Sequence, residues 1–386
     1  MDMSPLESLN DRNGMKTKSL WFAIACGSAC LLSACGDRAL SPPTSTSKNA
    51  LVVTDALERT VHFNHPPQRM AITGKASFMI ENAIHLFPEA RQREMNFMSG
   101  HIAQRAEAGD FLALIAPEQT TSATLGGEAG VEQIATAQPE VVLMKSLAQR
   151  TGEAIEQIGI PVVFLDFETP AQYIRDLSIL GQLLHAPHRA TELITYYTGI
   201  VTTVQTQTAA LPESEKPRTL LLQYADRGGT IAFSVPPPNW IQTELVELAG
   251  GIPIWKNTAQ QSGWTIVNLE QIAAWNPDIV YVVNYRGHAT QAVADILADS
   301  KWQSLRAAQT KHIFPFPGDF CSWDQPDPRW GLGLLWLATR THPNRFANVD
   351  LSQEIFRFYA LYGLDEESVR NNVIPLIHED IAHVQP

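Results

Sequence analysis

A fourteen-residue segment that occurs twice constrains the fold of this chain more than any other feature. Val131-Glu-Gln-Ile-Ala-Thr-Ala-Gln-Pro-Glu-Val-Val-Leu-Met144 returns 138 residues later as Leu269-Glu-Gln-Ile-Ala-Ala-Trp-Asn-Pro-Asp-Ile-Val-Tyr-Val282, without a gap. Glu, Gln, Ile, Ala, Pro and Val are identical in the two copies, and most other positions are similar in kind. Each copy reads as a short helix, a proline–acid turn and a buried strand. One segment met twice in the same register points to two related halves. The competing reading is a common helix–turn–strand unit met twice by chance, and the gapless register speaks against it.

The surrounding pattern agrees. Residues 51–53, 60–63 and 69–73 read as short strands, the third feeding a helix near 77–86. After the first copy come a helix over 148–158 and a buried strand over 161–165. Thr169-Pro170 then opens a helix with capping chemistry, and Ile174, Leu177, Leu180, Leu183 and Leu184 line one face of it. Ala186-Pro187 breaks that helix, a second helical segment spans 188–210, and Pro212-Glu-Ser-Glu-Lys-Pro217 stops it. Strand signals restart at 219–223, 230–234 and 278–283, with a helix at 240–248 between them. Apolar strands alternating with helices suit parallel sheets covered on both faces.

The N-terminus reads as an export signal. Lys16 and Lys18 precede an apolar run that ends at Cys35, too short for a span of about 20 apolar residues. Leu32-Ser33-Ala34-Cys35 resembles the bacterial lipobox, which implies lipidation of Cys35; an ordinary secretory signal and an uncleaved anchor are the alternatives. Met15 directly precedes the cationic flank and is a second candidate start. Of the four cysteines, Cys26 and Cys30 leave with the signal and Cys35 carries lipid, so Cys321 has no intrachain partner. Without disulfides, stability has to come from a large core. A net charge of −12 with no basic run argues against nucleic acid as a partner. The expected organisation is a signal over 1–34, a Pro/Ser-rich tether over 35–50 and an N-terminal lobe over 51–168. A helical spine over 169–212, a C-terminal lobe over 213–345 and a helical tail over 346–386 complete it.

The repeated Leu-Glu-x-Ile-x-Ala-x-x-Pro-Asp-Ile-Val resembles a motif of the periplasmic binding proteins for iron-siderophores, haem and vitamin B12. Val53-Thr-Asp-Ala-Leu-Glu-Arg-Thr-Val61 and Ser300-Lys-Trp-Gln-Ser-Leu-Arg306 extend the likeness, which covers roughly residues 50–345. The resemblance implies an α/β fold: two Rossmann-like lobes with mainly parallel sheets, joined by a long interlobe helix, with ligand in the cleft and little hinge closure. It also implies a monomeric, non-enzymatic binder without intrinsic cofactor, which hands a metal chelate such as an iron-siderophore to an ABC permease and its ATPase. Haem and cobalamin are the nearest alternative ligands, and a secreted two-lobed hydrolase is the competing class. In that family one surface glutamate per lobe docks on permease arginines, and the matched positions here are Glu132 and Glu270.

Ligands of open α/β sheets sit beyond the carboxyl ends of the strands. That rule selects Lys75, Lys145, Tyr224, Arg227, Tyr285, Arg286 and His288, together with Trp323 and Arg329 in the aromatic- and acid-rich 316–330 loop. Arg and Lys suit an anionic chelate, and aromatic rings offer flat apolar contact. Several decoys fail. Gly74-Lys75 lacks the first glycine and the hydroxyl residue of a phosphate loop, since Arg69 and Ala76 stand there. The eleven histidines form no His-x-His or His-Glu-x-x-His, no Gly-x-Ser-x-Gly turn occurs, and nothing local marks Cys321 as activated.

Overall fold

The computed structural model describes residues 50–98, 106–119 and 129–381. The leader, most of the tether and Cys35 lie outside the described residues, and among those described no helix is long and apolar enough to cross a membrane.

The chain opens with an antiparallel pair, β1 (Leu51–Thr54) and β2 (Thr60–Phe63). The first sheet then forms from β3 (Arg69–Thr73), β4 (Glu94–Met98), β5 (Val141–Lys145) and β6 (Val162–Leu165), in the order β4-β3-β5-β6 and parallel throughout. Helices α1 (Phe78–Ile84), α2 (Ala106–Ile115), α3 (Val131–Thr136) and α4 (Gln149–Gln157) connect these strands. All five residues of β5 are buried, as a central parallel strand requires.

Two helices follow, α5 (Pro170–Leu183) and the 22-residue α6 (Pro187–Thr208), the longest of the described residues. The Thr169 hydroxyl caps α5 by accepting from the Gln172 amide at 3.2 Å. The second sheet runs β10-β8-β7-β11-β12, with the short β9 also paired to β7. Its strands are β7 (Arg218–Arg227), β8 (Thr230–Val235), β9 (Ile252–Pro253), β10 (Thr265–Val267), β11 (Ile279–Val283) and β12 (Ile313–Pro315). β8 runs antiparallel to both of its neighbours, β7 and β10, and the other pairings are parallel. Around this sheet lie α7 (Ile241–Leu248), α8 (Leu269–Trp275), α9 (Ala289–Ala298), α10 (Arg306–Gln309) and α11 (Trp330–Thr341). The chain therefore folds as two α/β lobes joined through α5 and α6. One buried apolar cluster runs from the first lobe through the helical link into the second.

The two copies of the repeated segment fold alike in detail. Each is a short helix, α3 or α8, leading to an interior strand of its lobe's sheet, β5 or β11. Gln138 and Asn276, at matched positions, both take left-handed backbone (φ 48° and 41°) before their prolines, which ends each helix. The acids that follow clamp the neighbouring strand in the same way. The Glu140 amide donates to Arg69 O and the Asp278 amide to Arg218 O, each at 2.8 Å. Their carboxylates pair with Arg69 (3.2 Å) and with Arg306 (2.6 Å).

Three further helices, α12 (Leu351–Ala360), α13 (Glu366–Asn372) and α14 (Ile374–Ile381), close the chain. Helix α12 packs against α11 of the second lobe, and the turn after it is bonded to the first lobe and to α6, a second tie across the lobes. Arg91 donates to Tyr362 O at 2.6 Å and the Tyr362 hydroxyl to Asn82 O at 3.0 Å. Arg189 of α6 bridges Leu86 O and Leu361 O.

Candidate ligand-binding site

At the carboxyl edge of the first sheet, β3 ends in a turn where Gly74 and Ala76 both have positive φ, leaving Lys75 exposed between them. Lys145, the last residue of β5, is 1% exposed and its ammonium meets the Glu168 carboxylate, with Met79 Sδ at 3.0 Å. Burial pulls this ammonium below its ordinary pKa, and the Glu168 carboxylate opposes that pull. Beside them Ser146 donates to Asp166, which also takes a 2.6 Å bond from Arg175. Buried Asp176 accepts the amides of Asp166 and Phe167 at 2.6 and 2.8 Å, fixing the 166–168 turn. Burial raises the Asp176 carboxyl, with Arg175 opposing.

On the second lobe, three half-buried rings from separate loops meet edge to face. Trp240 and Trp264 have centroids 5.9 Å apart, and Trp264 and Tyr285 5.8 Å. Behind them the Tyr285 hydroxyl donates to buried Asp324 at 2.5 Å, as do Ser322 at 2.5 Å and the Gln242 amide at 3.3 Å. Gln242 Oε1 is buried and has no protein partner. Burial pushes the Asp324 carboxyl above its usual range, and the three donors pull it back in part. The rings offer flat apolar surface, and the group behind them offers acceptors.

The sequence-selected residues divide sharply. Lys75, Arg286 and His288 are exposed, and Tyr285 is half-buried. The side chain of Arg227 lies outside the described residues. Tyr224 instead turns inward and its hydroxyl donates to Asp295 of α9 at 3.2 Å. Trp323 and Arg329 are fully buried, which departs from their expected place against ligand. The Arg329 guanidinium sits between Asp319 (2.5 Å) and Asp327 (2.7 Å) and 4.1 Å over the Phe111 ring of α2. The Trp323 indole donates to Asp319 at 3.0 Å, and Asp327 accepts from Asn82 of α1 at 2.5 Å. The physical reason is charge closure: the loop supplies its own counter-ions and bolts onto the first lobe. Gly333 lets this happen, since a Cβ there would lie 2.2 Å from Trp323 O. Glu132 and Glu270 are both exposed, in the first turns of α3 and α8.

Trp240, Trp264, Gln242, Ser322 and Asp324 were not singled out from sequence. A signal existed for the tryptophans: each stands in a Pro- or Gly-rich loop, Pro236-Pro-Pro-Asn-Trp240 and Ser262-Gly-Trp264, where a large ring has no helix or strand face to fill. Among the described residues no group of three His, Cys, Asp or Glu is arranged to hold a metal ion.

Two α/β lobes joined through α5 and α6, together with the family match that follows, describe a solute-binding protein rather than an enzyme. The chain belongs to the periplasmic binding protein family, whose model matches residues 100–319, and so works outside the cytoplasm as the binding component of an ABC transporter. It is 24% identical over 371 residues to the molybdate-binding protein MolA of Haemophilus influenzae, spanning 89% of this chain and 96% of that one. Among solved structures it resembles a periplasmic solute-binding protein of Veillonella parvula (TM-score 0.68, 23% identity, 85% of this chain and 98% of the other). It also resembles nickel-bound CeuE of Helicobacter pylori (TM-score 0.63, 16% identity, 84% and 99%).

Proposed function

We propose that this protein captures an iron-siderophore or similar metal chelate in the interlobe cleft and delivers it to an ABC permease driven by its ATPase. The observation that carries this reading is the Trp240–Trp264–Tyr285 panel backed by the buried acceptors Asp324 and Gln242. Flat rings with buried acceptors suit an organic shell that carries its own donors around a metal. Lys75, Arg286 and His288 are exposed, and in this reading they meet a residual negative charge on the ligand. The metal's coordination stays within the chelator, so the protein has no intrinsic cofactor. Haem and cobalamin are the nearest variants of this reading, with His288 as the exposed imidazole for a haem.

Molybdate is the second reading, favoured by the likeness to MolA. Against it, the buried cations among the described residues, Lys145 and Arg329, already hold carboxylates. Tryptophan-fluorescence titration with a ferric siderophore, haem, cobalamin, nickel–histidine and molybdate separates these readings. A metal chelate should quench, and Trp264→Ala should weaken it at least tenfold. Molybdate binding in the absence of any chelate binding would overturn the proposal.

The rest of the assembly follows the same logic. Cys35 anchors the monomer to a membrane through lipid, and Glu132 and Glu270 orient it on the permease. Two exposed acids, one per lobe, fix orientation and steer encounter. Changing both to Lys should cripple transport while chelate affinity stays within twofold; loss of affinity, or undiminished transport, would sink the docking role. Cys35→Ala should release the protein from membranes.

A further inference from the structure

We infer that Glu168 is a specificity-determining residue: an in-built carboxylate that occupies the Lys145 ammonium and thereby excludes small oxyanions from the cleft. The inference rests on the reading that the carboxyl edge of the first sheet faces the ligand, and it deepens that reading by naming a ligand class the site rejects.

A buried ammonium at the end of a central parallel strand is what an oxyanion receptor needs. Lys145 stands at that position, registered beside Leu165 at the end of β6. Its side chain is 1% exposed, and the Met79 thioether lies 3.0 Å from the ammonium. Such a cation strongly demands a counter-charge. Glu168 supplies one from inside the chain, and its side chain is 28% exposed. The carboxylate therefore lies between the ammonium and the outside, where an arriving anion would otherwise sit.

The backbone holds Glu168 ready for this. Phe167 takes left-handed backbone (φ 53°), rare for a bulky residue, and its amide and that of Asp166 are fixed on the Asp176 carboxylate. The Phe167 ring is buried and packs 4.7 Å from Tyr173. On the other side, the Glu168 amide donates to Gln172 of α5 at 3.1 Å. A carboxylate tethered this closely has an effective concentration on the order of millimolar or above. An oxyanion present at micromolar level competes poorly against it, whereas a large chelate held by rings elsewhere in the cleft does not need Lys145. Simple neutralisation of Lys145 accounts for the ion pair alone; the outward placement and the fixed turn make the carboxylate a plug.

The test uses sodium molybdate as a tetrahedral dianion and calorimetry on the purified protein. Glu168→Gln should bind molybdate at least tenfold more tightly than wild type, and adding Lys145→Gln should return affinity to the wild-type level. Melting curves without ligand report folding, and Glu168→Ser replaces the glutamine variant under the same criterion if that variant does not fold. Affinity unchanged by removing Glu168, or a gain that survives loss of Lys145, overturns the inference. The broader functional reading fails separately: if no metal chelate binds wild type while the Glu168→Gln gain appears, the aromatic panel is wrong and the plug stands.

Discussion

Replacing Arg329 by methionine removes the one cation among Asp319, Asp327, Tyr359 and the Phe111 ring. The side chain is 0% exposed, as are those of both acids, so no water takes its place. Asp319 keeps bonds from Trp323 (3.0 Å) and Tyr359 (2.5 Å), and Asp327 keeps Asn82 (2.5 Å), yet two negative charges are left buried together. Breaking a buried pair in this way costs about 3–5 kcal/mol. Unfolding entropy is about 2.1 cal/mol/K per residue near 60 °C, or about 0.7 kcal/mol/K for a body of roughly 330 residues. The melting temperature should therefore fall by about 4–7 °C. The matched control changes all three groups: Asp319→Asn, Asp327→Asn and Arg329→Met together keep the shapes and remove every charge. Neutral replacements of a whole buried ion cluster are often tolerated, so this triple variant should recover at least half of the loss. Differential scanning calorimetry of wild type, single and triple variants reads the outcome. A single variant within 1 °C of wild type, or a triple variant less stable than the single, would refute the charge-closure account of the 316–330 loop.

Three other outcomes are expected. Burial raises the Asp324 carboxyl, so its contribution to stability is fully present below its unfolded value near 3.8 and is lost as pH rises through the raised value; wild type should gain on Asp324→Asn as pH falls from 7 toward 4, and parallel urea midpoints across that range would contradict this. Burial likewise pushes the Cys321 thiol well above its ordinary value, so it should react with a disulfide reagent slowly when folded and rapidly in denaturant, and reducing agent should leave the melting temperature unchanged. Gly333→Ala forces a Cβ to within 2.2 Å of Trp323 O and should destabilise by about 3 kcal/mol, read by urea unfolding; a change below 1 kcal/mol would mean the loop moves freely off α11.

The sequence carried those parts of the fold that local chemistry dictates. The repeated segment marked the interior strands β5 and β11 because Pro139 and Pro277, with the acids after them, must end a helix and clamp a neighbouring strand. Strand β4 was not legible, because Glu94, Met95, Asn96 and Phe97 mix polar and apolar residues at a sheet edge buried on one side only. Of the candidate site, exposed Lys75, Arg286 and His288 and half-buried Tyr285 were legible, and the two tryptophan rings were not. Trp240, Trp264 and Tyr285 come from three loops, and no local pattern records that they meet. Trp323 and Arg329 misled because composition cannot distinguish a charged loop that faces ligand from one that neutralises itself.

The strap formed by Arg91, Arg189 and Tyr362 bears on how occupancy is communicated. A body tied in this way should keep nearly the same outline whether empty or loaded. A transporter receiving such a body would have no swing of the lobes to sense, so the signal of cargo would have to be local, written at the mouth of the cleft. Empty and loaded molecules would then compete for one docking surface on nearly equal terms. Uptake would be self-limiting: overproducing the binder when ligand is scarce would crowd the transporter with empty carriers, and throughput would depend on the fraction loaded rather than on the number of binders.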